Sequence, residues 1–260
     1  MSVRNRRHFS CPSEGIRFVV GLILFLLLTL IVWVWVLDWL DVSPLLVPRW
    51  YECWNAYKEH QNIIWEEGFK TVSHVVQSFS YALVVALVVG WVTSKNTLLL
   101  GLFSPVFVFS QAVPLIAIAP LIVVWFGFGE QSILVMSGIV CFFPLVNGVL
   151  SGLSRPLAGD AELLGWLKPN AWVTFFWYEI PLILKFLVPS LRNGFGLAVV
   201  GTTVGEFIIG SGLGSLIEIA RAQNRVDFMV VSLMVLIGMG LLGFILLWLL
   251  DWLVRWWRPL

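Results

Sequence analysis

Long apolar runs separated by short polar stretches make up most of this chain. Runs without Asp, Glu, Lys or Arg occur at 18–37, 71–94, 131–154 and 228–250. A helix crosses a hydrocarbon core of roughly 30 Å with about 20 apolar residues, so each run is long enough to do so. The pattern therefore predicts a membrane-spanning helix in each of these segments.

A fifth apolar segment, 96–129, contains the internal prolines Pro105, Pro114 and Pro120. Each such proline removes a backbone hydrogen bond, and a bilayer tolerates the freed carbonyl only where protein or water satisfies it. The segment should therefore face other helices, as one long span or as a span with a re-entrant part. Pro114 and Pro120 are candidates for a translocation path, although a structural kink explains them about as well.

A sixth apolar segment, 182–217, is interrupted by Lys185, Arg192 and Glu206. On insertion scales a charged side chain at mid-membrane costs roughly 2.5 to 3.5 kcal/mol. We therefore expect the Glu206 carboxyl group to be paired, protonated or in contact with water. Two interpretations remain open: a gate residue of a translocation path, or a structural hydrogen-bond acceptor near the outer boundary. The glycines between 210 and 214 are expected to form a sharp outer turn.

Composition and charge agree with this pattern of spans. Of the 260 residues, 59% are hydrophobic and 12% are charged, with 15 Trp and 19 Phe, which excludes an ordinary soluble domain. The expected fold class is all-α, a polytopic membrane protein with about six transmembrane helices in one domain, 16–255. With the amino terminus inside, eleven of the sixteen Lys and Arg residues lie in inner segments, so the tails 1–15 and 256–260 should both be cytoplasmic.

Residues 38–70 form the only sizeable outer segment under this topology. Its Pro44 and Pro48, together with Trp50 and Trp54, predict short amphipathic pieces at the membrane interface, where aromatic rings prefer to lie. An interfacial collar is the simpler interpretation, and reception of a soluble partner is the alternative.

The polar stretch between the fourth and fifth spans, 155–181, predicts two short helices. In the first, apolar residues recur at helical spacing until Pro169. Asn170 then offers a cap to a second short helix, which presents Trp172 and Phe175 on one face. These side chains would fit a groove in a partner, or would pack against the protein's own helix ends.

The order of the spans and this loop resemble the permease subunit of a bacterial binding-protein-dependent ABC importer, in the branch containing nitrate, sulfonate, taurine and pyrimidine-precursor transporters. The loop motif of that family has Glu-Ala-Ala, three variable residues, Gly, and a Leu-Pro pair about a dozen residues later. Here the spacing is kept although the small residues are replaced. The corresponding residues are Glu162 at the glutamate, Leu163 and Leu164 at the alanines, Lys168 at the glycine, Trp172 at a frequent aromatic position, and Ile180-Pro181 at the Leu-Pro pair.

Two further segments are similar to that branch, so that the resemblance extends over most of the chain. It is weakest in residues 1–15 and in the outer segment before the second span. The similar segments are Pro114 and Pro120 with Trp125-Phe126-Gly127, and Val204-Gly205-Glu206-Phe207 with Ser211-Gly212-Leu213-Gly214.

The resemblance implies an ABC type I importer permease fold in the bacterial inner membrane, without catalysis, cofactor or metal in this chain. The implied partners are cytoplasmic ABC ATPase subunits, an external or periplasmic solute-binding protein, a second permease copy in a homodimer, and the lipid bilayer, with no nucleic acid. The implied solute is a small organic or oxyanionic compound. The implied ATPase-coupling residues are Glu162, Leu163, Leu164, Gly165, Lys168, Trp172, Phe175 and Pro181, and the implied path or gate residues are Pro114, Pro120 and Glu206.

Other kinds of protein fit the residues less well. A self-sufficient secondary transporter or channel would need intramembrane proton or ion relays, and apart from Glu206, with His74 and Gln77 at the edge of a span, the sequence supplies few. An intramembrane enzyme is the weakest alternative, because no Ser/His or carboxylate/His spacing recurs within a span. The three cysteines would lie inside, outside and within the membrane, which suggests neither a disulfide nor a zinc site.

Overall fold

The computed structural model of the chain describes residues 46–109, 114–153, 166–167 and 169–256, with isolated positions at 21, 24, 28, 29, 33 and 43. The regular elements in these ranges are all helical. They are α1 (Trp50–Ser94), α2 (Thr97–Phe109), α3 (Leu115–Phe126), α4 (Glu130–Leu153), α5 (Ala171–Thr174), a π-helical turn (Phe175–Glu179), α6 (Ile180–Ile209), α7 (Gly212–Ala222) and α8 (Val226–Trp256).

Within the described ranges, four helical stretches are long and apolar enough to cross a membrane: α1, α4, the stretch from Trp172 to Ile209, and α8. Helices α2 and α3 divide the proline-containing segment 96–129 into two shorter pieces. The all-helical, multi-pass fold class is therefore confirmed. The first expected span, 18–37, lies mostly outside the described residues, so the count of six remains a prediction.

Helix α1 corrects the expectation of short separate pieces over 38–70. From Trp50 onward this segment is one 45-residue helix that continues through the second apolar run. No proline interrupts it, since Pro48 precedes its first residue, and the Glu52 carboxylate caps its start by accepting from the Arg49 N–H at 2.8 Å. Its first half is stabilised by burial of Cys53 and Ile64 in a cluster with residues of α7 and α8.

The second short helix expected in the polar stretch 155–181 is also not a separate element. Helix α5 begins at Ala171, directly after Pro169 and Asn170 as the sequence predicts, but it continues through the π-helical turn into α6. Pro181 does not end it, because the widened turn lets the Ile180 N–H bond the carbonyl of Phe175 just before the proline. The chain thus enters the bundle from the loop as one helical run.

Helices α1, α4 and α6 form the centre of the bundle, with α4 in close contact with the other two. At Gly201 of α6 an added Cβ would lie 2.7 Å from the Cα of Ser137 in α4, so only glycine fits there. The Ser137 hydroxyl donates to the carbonyl of Ala198 at 2.9 Å and accepts from Thr202 at 3.0 Å. Small residues and satisfied hydroxyls therefore set the α4 and α6 separation, as is typical of packed membrane helices.

We expect Gly201→Ala to lower the stability of the purified protein by about 1 to 3 kcal/mol, because the new methyl group would force the α4 and α6 backbones apart. The measurement is the unfolding temperature in detergent, followed by tryptophan fluorescence. Gly238→Ala in α8 is the matched control, since no atom of the described residues lies within 4 Å of a Cβ there. Equal shifts for the two variants would contradict the close-packing argument.

We distinguish the two ends of the bundle by the residues that lie there. The loop side is the end at which α1 and α4 finish and α5 begins, next to the stretch 155–181. The Glu206 side is the opposite end, at which α6 finishes and α7 connects to α8.

Candidate functional site

Glu206 lies in the last turn of α6 and is completely buried, with 0% of its surface exposed. Its Oε2 accepts from the Thr71 hydroxyl at 2.9 Å and from the Gly214 N–H at 3.1 Å. Its Oε1 lies 2.9 Å from Nδ1 of His74, which is itself buried. Both carboxyl oxygens are therefore held by the protein, and no water is needed to satisfy them.

The same group of side chains caps the start of α7. The first N–H groups of a helix have no intrahelical acceptor, and the helix dipole favours negative charge there. Ser211 makes no side-chain cap at this position, and groups from α1 and α6 replace it. The bonds run from Gly212 N to Glu67 Oε2 at 2.7 Å, from Leu213 N to Thr71 Oγ1 at 2.8 Å, and from Gly214 N to Glu206 Oε2 at 3.1 Å.

We call Glu67, Thr71, His74 and Glu206 the Glu206 cluster. Its first three members recur at helical spacing on one face of α1, and the fourth comes from the last turn of α6. The cluster therefore joins three helices, because each of its bonds to the start of α7 comes from α1 or α6. Electrostatically, it brings two carboxyl groups together at a positive helix terminus.

The expected sharp turn between α6 and α7 is confirmed. Gly210 and Gly212 have φ values of +86° and +70°, in the left-handed region that side chains disfavour. A Cβ at Gly212 would also lie 2.1 Å from the Cδ atom of Glu206. Glycine at 212 is thus required twice, by the backbone conformation and by the approach of the carboxyl group.

The structure gives the Glu206 carboxyl group partners in Thr71, His74 and Gly214, as the sequence requires of a polar group among apolar residues. The sequence did not identify Glu67 or Thr71, and His74 entered only as a polar residue at the edge of a span. The signal that could have found them is the i, i+4, i+7 spacing of Glu67, Thr71 and His74, which places three polar side chains on one face of a helix. A gate function of Glu206 remains a proposal.

The other two charged residues of the sixth apolar segment have different surroundings. The Arg192 guanidinium forms an ion pair with the Asp251 carboxylate, which connects α6 to α8. Lys185 is exposed, with its Nζ 5.9 Å from the centre of the Phe186 ring.

A second polar cluster lies on the loop side, where Glu179 of the π-helical turn meets α1. Glu179 is 9% exposed, its Oε2 accepts from the Trp91 indole N–H at 3.0 Å, and its Oε1 pairs with Lys95. The Phe175 ring packs edge-on against Trp91 with centroids 5.8 Å apart. We call Trp91, Lys95, Phe175 and Glu179 the loop-side clamp.

The coupling residues expected from the sequence are only partly described. Glu162, Leu163, Leu164, Gly165 and Lys168 lie outside the described residues. Trp172 is 69% exposed and stacks on Phe176 at 5.9 Å, whereas Phe175 turns to α1. Pro181 lies in the first turn of α6. The structure therefore gives Trp172 and Phe175 different environments, although the sequence predicted one shared face.

The two path prolines lie away from the contacts of Glu206 just described. Pro114 precedes α3 as its cap residue, and Pro120 lies inside α3, both exposed. The opposite face of α3 packs through Ala119 and Ile122 against Met136 of α4. Pro120 therefore points away from the described bundle, as a residue facing a path, lipid or another chain would.

A salt-bridged turn between α7 and α8 completes the Glu206 side. Arg225 donates to Asp227 at 3.0 Å and to Glu59 of α1 at 3.3 Å. The hydrogen bond with Asp227 is the main cause that raises the pKa of Arg225 above its ordinary value. This permanently charged group ties the first half of α1 to the α7–α8 turn.

Comparison with known proteins places this amino-acid sequence in a family. Residues 82–259 match the family described as binding-protein-dependent transport system inner membrane component. The riboflavin transport system permease protein RibX of Chloroflexus aurantiacus is 33% identical over 219 residues, which cover 82% of this chain and 79% of the relative.

Two other relatives agree with this match. A probable ABC transporter permease protein of Haemophilus influenzae is 31% identical over 213 residues, covering 75% of this chain and 79% of the relative. The taurine transport system permease protein TauC of Escherichia coli is 23% identical over 178 residues, covering 66% and 63%. These matches confirm the family resemblance. The chain belongs to the inner-membrane permeases of binding-protein-dependent ABC importers, as a multi-pass, non-catalytic subunit that contributes the translocation path while a separate subunit hydrolyses ATP.

Proposed function

We propose that two copies of this chain enclose the translocation path for a small organic or oxyanionic solute. An external binding protein delivers the solute, and cytoplasmic ABC ATPases engage the stretch 155–181 of each copy. The names of RibX and TauC, as riboflavin and taurine permeases, support a small solute of this kind. Both termini and the stretch 155–181 lie in the cytoplasm in this arrangement.

One observation carries the proposal. From Ala171 to Ile209 the chain forms a single helical run that leaves the loop and crosses the whole bundle. Its loop-side part belongs to the clamp on α1, and its last turn carries Glu206. A displacement of the loop by an ATPase would therefore reach the far end of the bundle through a continuous, hydrogen-bonded helix.

The coupling residues are Glu162, Leu163, Leu164, Gly165, Lys168, Trp172, Phe175 and Pro181, which either lie in the loop or begin this helical run. The exposed Trp172 supports contact with a partner, because a 69% exposed indole at the end of a helix has apolar surface to bury. The ATPase must bind this stretch differently in its two states, since only a difference in affinity shifts a conformational equilibrium.

The path and gate residues of the proposal are Pro114, Pro120 and Glu206. The exposure of the two prolines on α3 supports a position next to the path or the second copy. Glu206 acts in the gate by fixing the turn between α6 and α7 through its bond to the Gly214 N–H. In this role it holds the gate backbone in place and does not touch the solute.

The experiment that tests the proposal places a charge in the loop. In Leu164→Asp, we expect the amount of ATPase that co-purifies in mild detergent to fall about tenfold or more, because a buried carboxylate opposes docking. Vanadate-sensitive uptake of the solute carried by the co-purified binding protein should fall in parallel. Leu46→Asp is the matched control, since Leu46 is 73% exposed and lies outside the loop.

Unchanged ATPase capture and uptake in Leu164→Asp, with a folded membrane domain, would contradict the proposal. Uptake by the unaltered protein that resists vanadate but collapses with an ionophore would instead favour a secondary transporter.

A further inference from the structure

We propose that Glu179 is a positioning residue of transport. Its contacts transmit a movement of the loop to α1 as well as to α6. This inference rests on the proposed function, because it assumes that an ATPase displaces the stretch 155–181. It assigns a transmitting contact to a residue that is not one of the positions matched to the family's loop motif.

Within the loop-side clamp, Glu179 binds two side chains of α1, those of Trp91 and Lys95. Trp91 donates to Oε2 at 3.0 Å, while Lys95 pairs with Oε1. The Glu179 side chain is 11% exposed and that of Lys95 is 49% exposed, so the ion pair lies at the edge of the protein interior. A carboxylate so placed is stable only while its partners remain, so the pair resists separation.

The ring of Trp91 strengthens the contact in two further ways. Lys95 Nζ lies 5.4 Å from the centre of this ring, within the range of a cation–π interaction. Phe175 packs on the ring edge-on, four residues before Glu179 on the same side of the helical run. The loop-side clamp therefore grips α1 with a charged group and an aromatic ring placed one turn apart.

The clamp is built on a π-helical turn. Such turns are rare, and they are frequently found at functional sites. Here the turn extends from Phe175 to Glu179 and so contains both clamp residues that contact α1 from the loop side. Its position between the loop and α6 is where a displaced loop would first act on the bundle.

The helical run 171–209 is thereby joined to α1 near both of its ends. On the loop side Glu179 binds Trp91 and Lys95, and on the Glu206 side Glu206 binds Thr71 and His74. With both connections intact, α1 must follow the motion of α6. Without the loop-side connection, α6 can move against α4 while α1 stays behind, and the two ends of the bundle lose their coordination.

The test follows α1 itself and needs no knowledge of the solute. A spin label at Asn55→Cys, an exposed position in the first half of α1, reports the distance between the two copies in the assembled complex with its ATPases. The three native cysteines are replaced by alanine. ATP with vanadate is the probe that traps the closed ATPase, and the distance is compared with that of the nucleotide-free complex.

We expect the unaltered clamp to give a clear distance change on trapping, and Glu179→Gln to lose most of it while ATPase capture and basal ATP hydrolysis stay at the control level. Trp91→Phe, which keeps the ring but removes the indole donor, should lose part of the change. The charge exchange Lys95→Glu with Glu179→Lys should recover part of it, because it restores the ion pair but leaves the Trp91 N–H without its acceptor. Glu218→Gln is the matched control, since it neutralises an ion-paired carboxylate on the opposite side of the bundle.

A full distance change in Glu179→Gln would overturn the inference, as would a charge exchange that recovers nothing although each variant assembles. If Glu179→Gln does not assemble, Trp91→Phe decides, and a full change in that variant overturns the inference. Failure of the proposed function is separate, because then the unaltered complex itself would capture no ATPase or show no change with ATP and vanadate.

Discussion

Replacing Glu206 by alanine is expected to destabilise the protein by about 3 to 5 kcal/mol, because it removes the carboxyl group that three buried polar groups contact. The Thr71 hydroxyl, the His74 ring and the Gly214 N–H all contact this carboxyl group. The start of α7 would also lose part of its cap. The measurement is the unfolding temperature of the purified protein in detergent, with size-exclusion chromatography as a check on folding.

Glu206→Gln separates the shape of this side chain from its charge. The amide keeps an oxygen for Thr71 and Gly214 and places its nitrogen near His74, so we expect it to retain more than half of the lost stability. A Glu206→Ala protein as stable as the unaltered one would show that the carboxyl group is not a structural anchor. The gate role proposed for Glu206 would then have to rest on contact with the solute.

The second large effect is expected at Gly212. Alanine there adds a Cβ at φ +70° and places it 2.1 Å from Cδ of Glu206. The left-handed conformation costs an L-residue roughly 1 to 2 kcal/mol, and overpacking adds about 1 to 3 kcal/mol. We therefore expect a total loss of about 2 to 5 kcal/mol, measured by the same unfolding experiment.

Gly210→Ala isolates the clash from the backbone strain. Gly210 has φ +86°, but within the part of the chain that the structure describes no atom lies within 4 Å of a Cβ at this position. Alanine at 210 should thus cost only the conformational part. If the two variants lose the same stability, the close approach of Glu206 to Gly212 does not occur in solution. A larger loss at 212 supports the geometry described for the turn.

The spans were predictable from sequence because they depend on composition alone. A run such as 71–94 or 228–250 can be stable in only one kind of environment, and the structure places a long apolar helix over each. The requirement that Glu206 find partners was predictable for the same reason, since a carboxylate among apolar residues cannot remain unpaired.

The partners themselves were not predictable, because they lie 132 and 135 positions away along the chain at His74 and Thr71. No local pattern connects residues at that separation. The pairing of Glu179 with Lys95 is similar, with 84 positions between them. Both clusters are produced by the packing of α1 beside α6, which hydropathy does not specify.

The errors near the span ends have a common physical cause. Prolines and tryptophans at 44–54 suggested a broken interfacial segment, and the polar stretch 155–181 suggested a separate second short helix. In the structure Pro48 stands just before α1, and a π-helical turn accommodates Pro181. Tertiary contacts of Cys53 and Phe175 decided these boundaries, and such contacts outweigh local turn preferences.

Because α1 is long, a small rotation of this helix about one end moves its other end a long way. Its 45 residues extend about 68 Å at 1.5 Å per residue, more than twice a hydrocarbon core of roughly 30 Å. Pivoting this rod by about 5° at Lys95 would sweep its tip at Trp50 through roughly 6 Å. A small movement of α1 beside Lys95 on the loop side would thus become a displacement of several ångströms at the far tip of this helix.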